Sequence, residues 1–566
     1  MRRSVAERQQ ALAERLPTWI PRTLDGVLDA AAAEFPDRDY VVTDDRSYSY
    51  TEVKDWSERI AAGLVRRGIR PGDHVAVVLA NHPEFVAIKF AIARVGAACV
   101  PINFLNRRDE LGFVLKQSDA KLLITMDRFR GLDYLGMLDE LAQGWETNGG
   151  GQNLPELKQV VVFPTSTAKV REGAASFDQL AAPDGIFAPI AGQDPAAMSD
   201  MIFTSGTTGA PKGVMLTHDM LGRAACSSAY SRAFDDGWRV LFSLPMYHVY
   251  GYVEGMLSVL FVGGAIVPQV QFDPAATLAA ISRHQVDDVL LVPTMTLALL
   301  DELRARPYDL SPLRAMISSG QRSPPGIWED IRELFGPIEL TTGYGMTEVT
   351  ATTTLTRPDD PWERLTGTNG RMRDAGPAGD LALCGRVVAY RVVDPESGRE
   401  LATGEVGELM AKGPGVTAGY YKRPDATAEV FDPEGWLRSG DLGRFDEDGY
   451  LTLVGRRKES YRCGGEQVMP TEIEDVLTGH PAVMQAHVVP VPDRRMGEAG
   501  AAFVVLRADP EVTSQELIDL CAARLARFKV PKYVLPIRAE ELPTTPSGRA
   551  RKFLLTQRAV EELNLS

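Results

Sequence analysis

The run Thr204-Ser205-Gly206-Thr207-Thr208-Gly209-Ala210-Pro211-Lys212-Gly213-Val214 gathers four hydroxyls, three glycines and one ammonium behind a short apolar segment. Such a loop offers N–H groups, O–H groups and a point charge to a phosphate chain, and its glycines let backbone approach closely. A flexible polar turn does not require this density of hydroxyls beside a lysine. G-x-x-x-x-G-K-[ST] does not fit residues 206–212, so this is a different phosphate loop.

These residues need a scaffold, and the chain alternates short apolar runs with amphipathic helical stretches. Residues 74–80, 120–126, 201–205, 239–245, 264–270, 286–292 and 338–342 read as buried strands, and 294–306 as a helix. The alternation predicts α/β layers with mostly parallel sheets. After about residue 380 the texture turns to short strand candidates at 381–389, 406–412, 435–441 and 450–454, a small β-rich subdomain. Residues 144–153 and 357–380 read as surface loops. A compact tail follows, with a helix opening at Met469-Pro470 and strands at 486–490 and 501–506. A second helix opens on the capping box Thr513-x-x-Glu516 and carries Leu517, Cys521, Leu525 and Phe528 on one face. The expected organisation is α/β. A large domain of layered sheets plus the β-rich subdomain occupies 1–455, and a mobile small α+β domain 456–566, hinged near Lys458.

At 566 residues the chain is too long for one core. Its 44% hydrophobic and 24% charged residues are those of a globular protein, and a formal charge of -15 argues against nucleic acid as a partner. The five cysteines form no C-x-x-C pair and the seven histidines no H-E-x-x-H, so neither disulfides nor a zinc site is indicated. Arg2 and Arg3 are followed by Glu7 to Gln10 rather than an apolar signal core, no run of about 18 apolar residues occurs, and the end Asn564-Leu565-Ser566 is no peroxisomal address. A cytoplasmic enzyme without stable membrane anchoring is expected.

The loop at 204–213 resembles the phosphate loop of the adenylate-forming superfamily, which includes acyl-CoA synthetases, luciferases and peptide-synthetase adenylation domains. The family's further motifs follow in its order between about residues 25 and 555. Pro245-Met246-Tyr247-His248-Val249-Tyr250-Gly251 resembles the gate beside the acyl pocket, Tyr344 to Glu348 the nucleotide motif, Ser439-Gly440-Asp441 the ribose turn, and Gly455-Arg456-Arg457-Lys458 the hinge. The resemblance implies a ligase that joins a carboxylic acid to CoA through an acyl-adenylate, using ATP, Mg²⁺ and CoA. It implies phosphate binding by Thr204, Ser205, Gly206, Thr207, Thr208 and Lys212, and an adenine edge at Gly320 and Gln321. Tyr344, Gly345, Met346 and Thr347 would hold the nucleotide, Asp441 and Arg456 the ribose, and Thr207 and Glu348 the metal. His248 would line the carboxylate channel, with Tyr247, Val249, Tyr250, Val253 and Gly343 around the acid. In this family the small domain swings about the hinge lysine, here Lys458, and a second face would then bring CoA past Gly464 and Gly465. Cys463 beside them reads as an inert packing thiol.

One motif departs from the pattern. The family's C-terminal signature places a lysine after Ser-Gly, whereas here Ser547-Gly548 is followed by Arg549, with Lys552 three residues on. A planar guanidinium does not replace a compact ammonium in a narrow gap. The expectation is slowed adenylation with thioester formation preserved, acyl-AMP being supplied by a separate adenylating ligase. Lys552 standing in for the missing lysine, an ordinary two-step synthetase, is the alternative. A peptide-synthetase domain is disfavoured because residues 245–251 lack the aspartate that binds an α-amine and no carrier domain follows. Nothing specific supports a luciferase. A non-catalytic AMP- and CoA-binding homologue is the reading from another class.

Overall fold

The computed structural model describes residues 3–166, 171–182, 187, 190, 192–204, 211–320, 323, 326–507, 512–545 and 548–565. Strands such as His74–Val78 and Leu122–Met126 are buried at every residue, as expected of strands covered on both faces by helices. They assemble into two seven-stranded sheets. One runs Glu339–Thr341, Ala315–Ser318, Asp288–Leu291, Arg239–Phe242, Ala265–Pro268, Asp39–Val42, Ser47–Ser49, with parallel pairing up to the last strand. The other runs Lys212–Thr217, Met198–Thr204, Ala98–Pro101, His74–Val78, Leu122–Met126, Gln159–Phe163, Ala175–Ser176, antiparallel only at Lys212–Thr217. Helix Pro293–Ala305 lies where the periodicity placed it.

The β-rich part is an antiparallel meander of Ala389–Val393, Gly407–Lys412, Leu437–Phe445 and Leu451–Arg456. The tail has its own five-stranded sheet and core. Pro470 sits in the first turn of helix Pro470–Thr478, and the Thr513–Glu516 box caps Ser514–Arg524. Four expectations need correction. Residues 381–389 are not one strand: Leu381–Leu383 is a 3₁₀ turn, Cys384 is left-handed, and the strand begins at Ala389. The loop at 357–380 contains helix Trp362–Gly367, and that at 144–153 a helical turn, Trp145–Asn148, anchored by a buried tryptophan. Leu525 is extended and Phe528 belongs to the next turn, so both pack on the tail core from beyond the helix.

Two buried ion clusters lock the scaffold around the π-helical segment Tyr250–Leu257. Arg373 meets both Glu254 oxygens at 3.0–3.2 Å, the backbone N–H of Thr352 donates to the same carboxylate, and Arg232 bridges the Glu254 carbonyl to Asp288. Burial alone would raise the Glu254 pKa, and Arg373 holds it low instead. On the other side Lys89 pairs with Asp200 at 2.9 Å, and the Tyr252 hydroxyl donates to that carboxylate. Stranding one partner of such a pair costs about 3–5 kcal/mol. Arg373→Met should lower stability by that order, read as a reduced urea midpoint. An unchanged midpoint would show the cluster to be dispensable.

Candidate active site

The parallel sheet of Glu339–Thr341 and Ala315–Ser318 ends at Ser319-Gly320 and Thr342-Gly343, on its carboxyl edge, where open α/β sheets bind ligands. The Ser319 hydroxyl donates to the Gly343 carbonyl at 2.6 Å, fixing the two loops together. Gly345 admits no side chain, because a Cβ there would lie 1.9 Å from the Ala351 carbonyl oxygen. Tyr344 therefore projects from a tightly paired strand, and its hydroxyl donates to Asp441 Oδ2 at 2.6 Å. Arg456 Nε lies 2.8 Å from Asp441 Oδ1, from the facing strand of the meander. Ser439 shapes the turn by accepting from the Asp441 N–H and donating to the Leu409 carbonyl.

Thr204 and Lys212 are antiparallel partners at the edge of the second sheet. Ser205, Gly206, Thr207, Thr208 and Gln321 lie outside the described residues. Lys212 Nζ stands 4.8 Å from the ring centre of Tyr420, whose hydroxyl donates to Glu348 Oε1 at 2.9 Å. Glu348 is buried in the turn Thr347–Val349 that follows Met346, and desolvation raises its pKa. Tyr420 thus joins the phosphate-loop lysine to the nucleotide-motif glutamate. Neither its spacing nor its neighbours Gly419 and Tyr421 mark it in the sequence.

At the gate, Asn81 accepts from the Met246 N–H and donates to the Leu244 carbonyl, holding the segment that presents Tyr247 and His248. His248 Nδ1 accepts from the Tyr250 N–H at 3.2 Å, and burial pushes its pKa down to about 4, so the ring is neutral near pH 7. Tyr247, Val249, Tyr250 and Val253 are buried, and the Tyr250 hydroxyl donates to the Leu291 carbonyl. Among the described residues the buried Tyr247 hydroxyl has no hydrogen-bond partner.

Around Lys458 the chain's ties change sides. Arg456 and Arg457 bind Asp441 and Glu408 of the large part, whereas Glu459 binds Arg549 at 3.0 Å and Lys552 at 3.2 Å, both in the tail. Glu474 takes Lys552 as well, at 2.7 Å. Arg549 keeps 39% of its side-chain surface accessible, yet desolvation and the facing Arg456 lower its pKa, and it feels Asp441 and Tyr344. Arg549 thus lies within electrostatic reach of Arg456, Asp441 and Tyr344 of the large part. Gly464 and Gly465, at φ +63° and +89°, make an exposed hairpin turn. Cys463 beside it is buried, and burial raises its thiol pKa.

Three desolvated histidines give a pH signature. His218 is held to about 3 and His248 and His487 to about 4, against about 6.5 for an unfolded chain. The unfolded state binds more protons in that window, so stability is complete above pH 6.5 and falls as pH drops toward 4. The thermal midpoint should decline steadily from pH 7 to 5, and a flat profile would contradict the burial of these rings. Tyr247→Phe removes an unpaired buried hydroxyl and should leave stability equal or higher by about 1 kcal/mol, measured by urea unfolding.

The AMP-binding enzyme family matches residues 28–421, and the AMP-binding enzyme C-terminal domain matches 472–549. The putative acyl-CoA synthetase YngI of Bacillus subtilis is 36% identical across 98% of this chain and 100% of its own length. A 3-[(3aS,4S,7aS)-7a-methyl-1,5-dioxo-octahydro-1H-inden-4-yl]propanoyl:CoA ligase of Mycobacterium tuberculosis is 33% identical across 94% of this chain and 98% of its own. The anthranilate CoA ligase AuaEII, solved with anthranoyl-AMP, shares the fold at a TM-score of 0.83 and 24% identity, covering 97% of this chain and 100% of that one. With both domain matches in chain order and this crevice between them, the protein belongs to the AMP-binding enzyme family, among the adenylate-forming acyl-CoA ligases.

Proposed function

We propose that this ligase chiefly converts acyl-adenylates to acyl-CoA, its own adenylation step being slowed by Arg549. Residues 1–455 hold nucleotide and acid, and residues 456–566 swing about Lys458 between the two half-reactions. The observation that carries this reading is the placement of Arg549 at the crevice while Lys552 is held by Glu459 and Glu474. Lys552 is enclosed between two carboxylates that raise its pKa, so it is a poor substitute for a free lysine. Arg549 is left as the cation facing the ribose end.

The chemistry follows from charge. In adenylation a carboxylate oxygen attacks the α-phosphorus of ATP and pyrophosphate leaves, which brings two anions together. Thr204 and Lys212 flank the phosphate end, Asp441 and Arg456 the ribose, and Tyr344 the adenine. Neutral His248 orients the acid without adding charge. A buried carboxylate raised by desolvation, Glu348, suits Mg²⁺, which takes one or two carboxylates plus substrate oxygens and would screen the phosphates. In the second step the CoA sulfur attacks the acyl carbonyl and AMP leaves, with Gly464 and Gly465 offering a thin path for the pantetheine arm. The apolar wall of Val249, Tyr250 and Val253 with the unpaired Tyr247 hydroxyl suits a bulky acid bearing a polar group. The fused-ring keto acid named for the M. tuberculosis relative is one of that kind. A separate adenylating ligase would supply the acyl-AMP.

Losing one well-aimed transition-state donor costs roughly 100- to 1000-fold. Carboxylate-dependent ATP–pyrophosphate exchange should therefore be weak in the native protein beside brisk thioester formation from synthetic acyl-adenylate. Arg549→Lys should raise exchange toward 100-fold without speeding the thioester step. Robust exchange by the native protein would instead make it an ordinary two-step synthetase.

A further inference from the structure

We infer that Glu459, one residue beyond Lys458, is a positioning residue that aims the cation at 549 into the nucleotide crevice. This rests on the adenylation role given to that position above. Charges alternate without a break across the crevice: Asp441, Arg456, Glu459, Arg549 with Lys552, then Glu474. Arg456 and Arg549 repel each other, and both feel two carboxylates, Asp441 and Glu459, of which Glu459 is the one ion-paired to Arg549. Burial alone would raise its pKa, but Lys552, Arg549 and Arg456 hold it below the ordinary value.

The two oxygens divide the work. Oε1 takes Arg549 and Oε2 takes Lys552. Lys552 has a second anchor in Glu474, whereas the ion pair of Arg549 among the described residues is with Glu459 alone. Removing the Glu459 charge therefore leaves Lys552 placed and releases Arg549 to withdraw from Arg456. The Arg549 backbone is independently held, its N–H donating to Thr545 Oγ1 at 3.0 Å, so what Glu459 controls is where the guanidinium points. Glu459, Arg549, Lys552 and Glu474 all follow Lys458, so a swing at the hinge carries the cluster away intact. Glu459 thus bears on adenylation and not on thioester formation.

The test uses the full-length protein with Glu459→Gln and Glu459→Asp, each alone, with Arg549→Lys and with Arg549→Ala. Exchange and thioester formation from synthetic acyl-adenylate are both read. Misplacing a catalytic group by about 1 Å costs up to about 100-fold. Glu459→Gln should cut exchange roughly 10- to 100-fold in the native and Arg549→Lys backgrounds, with Glu459→Asp recovering part of it. Thioester formation should stay within about twofold, and with Arg549→Ala the Gln substitution should cost nothing further. An equal loss in both half-reactions, or an undiminished loss with Arg549→Ala, would overturn the positioning role in favour of a structural one. Failure of Arg549→Lys to gain exchange, with Glu459 still required, would instead overturn the reading of Arg549.

Discussion

Asp441 ties the strand of Tyr344 to the β-rich meander at the point where the tail begins. Its carboxylate accepts from Tyr344, 97 residues earlier, and pairs with Arg456 across the last two strands of the meander. Ser439 sets its backbone, so the side chain cannot drift. The α/β layers supply Tyr344, the β-rich part supplies Asp441 and Arg456, and the tail brings Arg549 to the same crevice. One buried carboxylate thus holds a tyrosine from the α/β layers and an arginine from the meander.

The remaining architecture manages charge around it. Two buried ion clusters flank the π-helical segment Tyr250–Leu257, one through Glu254 and one through Asp200, and together they stiffen it. Burial pushes the His248 pKa down to about 4 and raises that of Glu348, while Asp441 and Glu459 are each paired with an arginine.

Much of this was legible in the residues. Buried strands without polar alternation announce a sheet covered on both faces, and Met469-Pro470 and Thr513-x-x-Glu516 announce helix starts by local chemistry alone. Asp441, Glu348 and Lys212 were visible because their motifs are short and contiguous. Contacts between motifs were not. Tyr420 joins Lys212 to Glu348 from a segment with no distinguishing pattern, and Glu459 gains its meaning only when residues 549 and 552 fold back beside it. Leu381 to Ala389 misled because its apolar residues are interrupted by a left-handed Cys384, a feature of backbone rather than composition.

The most direct measurement is a crystal structure of the full chain with a non-hydrolysable acyl-sulfamoyladenosine. The expected complex has both ribose hydroxyls on Asp441, the adenine against Tyr344, and the Arg549 guanidinium within hydrogen-bond reach of the sulfamate when the tail is closed. An analogue bound with its ribose away from Asp441, or a closed tail with Arg549 turned out of the crevice, would contradict the account.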